Sequence, residues 1–158
     1  IEDKKMQSMK EFHDDIAVSL GGYVAERMIF DDLTTGPSND LQVLTALARD
    51  MVTKYGMAES IGPMALEGEG GKALFGRVMN EKEYSEAVSA KIDDEVKKIV
   101  DGAYQKAQDI LTEKRDVLDA IAKKLIEVET LERDEFEKIL TLHGIELKEK
   151  RDIEHGGA

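Results

Sequence analysis

Apolar residues recur at three- and four-residue spacing along most of the chain, which is the pattern of helices that each bury one face. The recurring positions are Met9, Phe12, Ile16, Leu20, Val24 and Met28; Leu41, Leu44, Ala48, Met51 and Tyr55; Val88, Ile92, Val96, Ile99, Ala103, Ala107 and Ile110; Val117, Ile121, Leu125 and Val128; and Phe136, Ile139 and Leu140. The connections between the last three sets are short, which favours helices that fold back as neighbours. We therefore predict an all-α fold, a helical bundle of about five helices.

A glycine-rich stretch interrupts this pattern after the second predicted helix. Residues 56–79 contain glycine at positions 56, 62, 68, 70, 71 and 76, together with Pro63. Such a stretch predicts an irregular connection, with short extended pieces at 64–66 and 73–75. Residues 68–72 superficially resemble a phosphate-binding loop, but Leu66 and Ala73 stand where that motif requires glycine and Ser or Thr. Nucleotide binding by this stretch is therefore not expected.

Charge and composition remove several classes of function. The net charge of −12 disfavours a nucleic-acid surface, which needs clustered Lys and Arg, and equally disfavours adsorption to an anionic membrane face. Cysteine is absent, so the chain has neither a disulfide framework nor a thiolate metal site. No run reaches the roughly 18–20 apolar residues of a membrane span. We expect neither a nucleic-acid partner nor membrane contact by this chain.

The segment Thr34–Asp40 carries the candidate chemistry. Gly36 and Pro37 end one helix, and Ser38 or Asn39 is expected to cap the next by accepting a hydrogen bond from its free amides. Asp40 then falls in the first turn, where the helix dipole favours a carboxylate. From this local pattern alone, Asp40 is either a simple helix-start residue or a ligand.

Gly21 and Gly22 lie in the middle of the first predicted helix. Glycine costs a helix about 1 kcal/mol relative to alanine, so a pair of glycines suggests that another backbone packs close. The pair indicates a small-residue helix crossing, and it would also let a further helix outside this chain approach; the two interpretations are compatible.

Four motifs follow each other in a fixed order. They are Leu-Gly-Gly-Tyr-Val-Ala-Glu at 20–26, Thr-Thr-Gly-Pro-Ser-Asn-Asp at 34–40, Leu-Ala-Arg-Asp-Met-Val-Thr-Lys-Tyr-Gly-Met at 47–57, and Gly-Pro at 62–63. This string resembles the peptidase domain of the FtsH family, the membrane-anchored ATP-dependent zinc metalloproteases of peptidase family M41. The similarity runs from about Lys10 to about Ile145. It implies that residues 1–147 are the C-terminal portion of a peptidase domain, with a charged and frayed tail at 148–158.

The resemblance implies specific site residues. Asp40 would be the third zinc ligand, and Glu26 would stand behind the metal site as a supporting group. In the family, the first two zinc ligands and the general base come from a His-Glu-x-x-His helix. None of the histidines here, His13, His143 and His155, is followed by Glu-x-x-His. We therefore expect that segment upstream of Ile1, no catalytic residue within this chain, and no activity from the chain alone.

The same resemblance implies cofactors and partners. Zinc would occupy the complete site, and ATP would be used by a separate ATPase domain outside this chain. The family forms homohexamers that degrade unfolded cytosolic and membrane polypeptides. The parent would face the cytoplasmic side of a bacterial membrane through an anchor elsewhere, with an organellar origin left open. The alternative function is a non-catalytic helical module for assembly or partner binding, derived from such a peptidase.

Overall fold

The structure, a computed structural model, describes residues 6–66 and 85–147. Within these ranges it contains five helices and no strand: α1 (Met9–Phe30), α2 (Ser38–Thr53), α3 (Glu86–Glu113), α4 (Arg115–Val128) and α5 (Arg133–Leu142). The predicted all-α fold is confirmed. The connection after α2 is irregular as far as Leu66, and the piece at 64–66 forms no strand. The second extended piece, at 73–75, and the tail at 148–158 lie outside the described residues.

Helix α1 begins at a reciprocal cap. The Ser8 hydroxyl accepts a hydrogen bond from the Glu11 amide at 3.2 Å, and the Glu11 carboxylate accepts one from the Ser8 amide at 2.7 Å. The apolar face is confirmed, because the predicted positions Phe12, Ile16, Leu20 and Val24 are all buried. Met9 is instead 50% exposed, because it is the first residue of the helix and precedes the packed part.

One hydrophobic core joins the first three helices. A compact unit ends at Leu111, and its most buried large side chains include Ile16 of α1, Leu44 and Met51 of α2, and Ile92 of α3. Close packing of these side chains fixes the backbone of α2 against α1. Tyr55 was predicted to be buried but is 51% exposed, although its ring stacks on Phe12 at a centroid distance of 5.5 Å. The core therefore holds both helices that flank the Thr34–Asp40 segment.

The glycine pair of α1 has no close neighbour in the described part of the chain. A Cβ atom placed on Gly21 or on Gly22 would find nothing within 4 Å. The expected small-residue crossing with another helix of this chain is therefore wrong for the described residues. The surface above both glycines is open, and the approach of a further helix stays a prediction.

The second compact unit begins at Thr112 and contains α4 and α5, which contact each other. The turn before α4 is the single residue Lys114, shorter than the connection predicted at 112–114. Of the apolar positions predicted in these helices, only Val117 is buried, and Ile126 and Leu142 are more than 80% exposed. The predicted domain boundary at 147 stays a prediction. None of the helices in the described ranges is both long and apolar enough to cross a membrane.

Gly56 lies just beyond the end of α2, in a conformation that favours glycine. Its φ is +62°, and a Cβ atom there would lie 3.2 Å from the Pro63 Cα. We expect Gly56→Ala to lower the free energy of unfolding by about 1–3 kcal/mol, through left-handed strain and this close contact. Gly102 is the matched control, because it is helical with nothing within 4 Å, and Gly102→Ala should stabilise by about 0.5–1 kcal/mol. Urea unfolding measures both, and equal stability of Gly56→Ala and the unaltered chain would refute the strain.

Candidate metal site

A hydrogen bond from a threonine hydroxyl connects the loop between α1 and α2 to α1. The Thr34 Oγ1 donates a hydrogen bond to the Glu26 Oε1 at 2.5 Å, and it accepts one from the Gly36 amide at 3.1 Å. Glu26 lies in the last part of α1, eight residues before Thr34. One side chain therefore connects the end of α1 to the turn that leads into α2.

The start of α2 differs from the sequence prediction. The helix begins at Ser38, with Pro37 in the capping position, and no side chain makes a capping hydrogen bond. The expected cap by Ser38 or Asn39 is wrong, because both residues already lie in the helix. A backbone hydrogen bond takes the place of a side-chain cap: the Ser38 amide donates to the Thr35 carbonyl at 3.1 Å.

Asp40 lies in the first turn of α2, as predicted, and its side chain is exposed. The helix dipole stabilises a negative charge at this position. One turn later, Leu44 is 1% exposed and anchors the helix in the core. Asp40 is therefore an accessible carboxylate on a fixed stretch of backbone, which suits an oxygen ligand for a metal.

The two oxygens of Glu26 have different surroundings. Oε1 accepts the hydrogen bond from Thr34, whereas Oε2 is buried and has no hydrogen-bond partner among the described residues. Leaving a buried acceptor unsatisfied costs about 1–3 kcal/mol, more when the group is charged. This arrangement is therefore suited to an additional donor, such as an N–H group that reaches Oε2.

The described residues do not complete a metal site. Within 6–66 and 85–147, no three His, Cys, Asp or Glu side chains come together in a group that could hold a metal ion. His13 is half-buried in α1 and joins no such group, and His155 lies outside the described residues. In the described part of the chain Asp40 therefore has no two companion ligands, and its role as a zinc ligand stays a prediction.

Thr34 is the residue of this site whose role sequence reasoning did not identify. A threonine hydroxyl can accept a hydrogen bond from the backbone amide two residues on, and this tendency could have predicted the bond with the Gly36 amide. The bond to Glu26 could not be predicted in this way, because it depends on how the loop folds back over α1.

The comparison with known proteins decides the family. The model of peptidase family M41 matches residues 1–139. The chain belongs to peptidase family M41. It is 43% identical over 146 residues to the ATP-dependent zinc metalloprotease FtsH 1 of Thermoanaerobacter sp., covering 92% of this chain and 24% of that protein. It is 41% identical over 145 residues to the ATP-dependent zinc metalloprotease FtsH of Bacillus subtilis, covering 90% of this chain and 23% of that protein.

The M41 chain thus spans about a quarter of the length of these relatives. The family resemblance drawn from the motifs at 20–26, 34–40, 47–57 and 62–63 is confirmed. The individual roles of Asp40 and Glu26 stay predictions.

Asp31 begins the loop in a strained conformation that offers a test. It ends α1 with φ at 49°, in the left-handed region, and it places a negative charge at a helix C-terminus. We expect Asp31→Gly to raise the free energy of unfolding by about 0.5–1 kcal/mol, because glycine adopts this conformation without a Cβ clash. Urea unfolding is the measurement.

The neighbouring aspartate supplies the control for this test. The Asp32 carboxylate accepts a hydrogen bond from the Leu33 amide at 2.7 Å, and Asp32 does not have a positive φ. Asp32→Gly should therefore give no gain in stability. An unchanged or lower stability of Asp31→Gly would mean that the left-handed geometry carries no strain.

Proposed function

We propose that this chain is part of an ATP-dependent zinc metalloendopeptidase and that Asp40 supplies the third protein ligand to zinc. The observation that carries the proposal is the pairing of two carboxylates at one loop. Asp40 is exposed on an anchored helix start, and the loop before it is bonded to Glu26, whose Oε2 is buried without a partner among the described residues. Membership of family M41 and the names of the relatives support the same chemistry.

The residues have distinct tasks in this proposal. A catalytic zinc takes three protein ligands and leaves one position open, where it activates water and polarises the peptide carbonyl. Asp40 holds the metal from the start of α2. The Oε2 of Glu26 accepts an N–H hydrogen bond from a ligating histidine, which fixes the orientation of that ring. The open surface at Gly21 and Gly22 leaves room for the helix that carries the histidine.

The remaining ligands and the general base come from a His-Glu-x-x-His segment that the 158-residue sequence does not contain. A single carboxylate does not hold a catalytic zinc, so this chain by itself is inactive. ATP is used by a separate ATPase domain.

The proposed substrates and assembly follow from the family resemblance described above. The substrates are unfolded cytosolic and membrane polypeptides, the assembly is a homohexamer, and the protease acts at the cytoplasmic side of a bacterial membrane. The names of the relatives, which combine ATP dependence with zinc metalloprotease activity, support ATP-dependent proteolysis.

A second candidate is a non-catalytic helical module for assembly or partner binding. Its support is the second unit, where α5 has no buried residue and Ile126 and Leu142 are exposed. In this second proposal, the exposed apolar residues of α4 and α5 would form a contact surface for another protein. A measurement of zinc binding by the parent protein distinguishes the two proposed functions, because a module with only an assembly role needs no metal.

Asp40→Asn in the full-length protease tests the ligand assignment. Because the exchange removes a charged ligand, zinc content and proteolysis should fall by more than the roughly 10- to 100-fold typical of groups behind the ligands. ATP hydrolysis should persist. Asp134→Asn is the matched control, since Asp134 is also an exposed aspartate in the first turn of a helix. It should keep zinc and proteolysis. Full zinc content in Asp40→Asn would refute the assignment.

A further inference from the structure

We infer that Thr34 is a positioning residue for the metal site, acting through Glu26; this inference rests on the proposed function. The Thr34 hydroxyl donates a hydrogen bond to the Glu26 Oε1. The buried Oε2 of Glu26 is thereby left to accept a hydrogen bond from the metal-binding helix. The same hydroxyl holds the turn that places Asp40. Thr34 would thus orient a group behind the metal and also set the position of a ligand.

The directions of the hydrogen bonds are fixed by chemistry. A hydroxyl has one proton to donate, and a carboxylate accepts only. Thr34 therefore gives its proton to Glu26, and a lone pair of its oxygen receives the Gly36 N–H at 3.1 Å. A bond to an ionised acceptor is about twice as strong as a neutral one, and two bonds in series strengthen each other. This is why an exposed threonine holds a defined position.

The turn transmits this position to Asp40. The Thr34 hydroxyl accepts a hydrogen bond from the Gly36 amide. Pro37 follows Gly36 in the chain, and its carbonyl accepts a hydrogen bond from the Leu41 amide at 3.0 Å. Asp40 lies between these bonded residues, inside the first turn. Without the Thr34 hydroxyl, Glu26 could turn Oε1 toward the metal-binding helix in place of Oε2, and the loop would lose its attachment to α1.

The test is a set of variants in the full-length protease. Thr34→Val should lower zinc affinity by about 10-fold, the lower end for groups that orient a ligand, with a similar fall in kcat and an unchanged KM for an unfolded peptide. Thr34→Ser keeps the hydroxyl and should restore zinc affinity and kcat. Thr141→Val is the matched control, because Thr141 is an exposed threonine of α5 whose hydroxyl also donates a hydrogen bond, to the Glu137 carbonyl at 2.9 Å. It should keep zinc affinity and kcat.

A double-mutant cycle shows whether Thr34 acts through Glu26. If Glu26→Gln and Thr34→Val each weaken zinc binding by about 10-fold, the double variant should lose about 10-fold and not about 100-fold. The same cycle in the full 158-residue chain without metal should show non-additive shifts of Tm. This second readout does not depend on activity. Thr34→Ala repeats the test with a smaller side chain if valine prevents folding.

The outcomes are distinct. Unchanged zinc affinity in Thr34→Val, or independent losses that multiply to about 100-fold, would overturn the inference. If Asp40→Asn loses zinc while Thr34→Val keeps it, only the role of Thr34 fails. If Asp40→Asn keeps zinc, the proposed ligand fails, whereas the Tm cycle in the metal-free chain still reports whether Thr34 and Glu26 are coupled.

Discussion

The carboxylate of Glu26 joins the parts of this site. Its Oε1 accepts a hydrogen bond from the Thr34 hydroxyl, and its Oε2 is buried without a hydrogen-bond partner among the described residues. A charged group in this state is costly unless a donor reaches it, so the arrangement is suited to a further element that supplies a donor. The loop geometry, the accessibility of Asp40 and the open surface of α1 are consistent with a surface built to receive another helix.

The core supplies the rigidity on which this arrangement depends. Ile16, Leu44 and Ile92 come from three different helices and are almost fully buried in one cluster. Because a close-packed interior resists small shifts, α1 and α2 keep their relative positions, and the loop between them spans a fixed gap. A ligand on this framework needs only local hydrogen bonds to hold its orientation.

The apolar periodicity was sufficient to predict the helices and most of the buried positions, because burial of one face requires that spacing. It failed at Met9 and Tyr55, at or beyond the ends of α1 and α2, and at Ile110, which is 50% exposed. It also failed in α4 and α5, where Val117 is the one predicted position that is buried among the described residues. Motif order was sufficient to identify the family. The bond between Thr34 and Glu26 was not predictable, because it depends on the path of the loop in three dimensions. The cap at Ser38 or Asn39 was mispredicted, since Pro37 takes that position.

The most direct test of the central claim is a crystal structure of the full-length protease with zinc located by its anomalous scattering. The account predicts an Asp40 carboxylate oxygen about 2.0–2.2 Å from the metal. It also predicts a histidine N–H bonded to the Glu26 Oε2, with Thr34 still bonded to Oε1. A zinc ion whose protein ligands are complete without Asp40, or a Glu26 Oε2 that still lacks a donor beside the bound metal, would contradict the account.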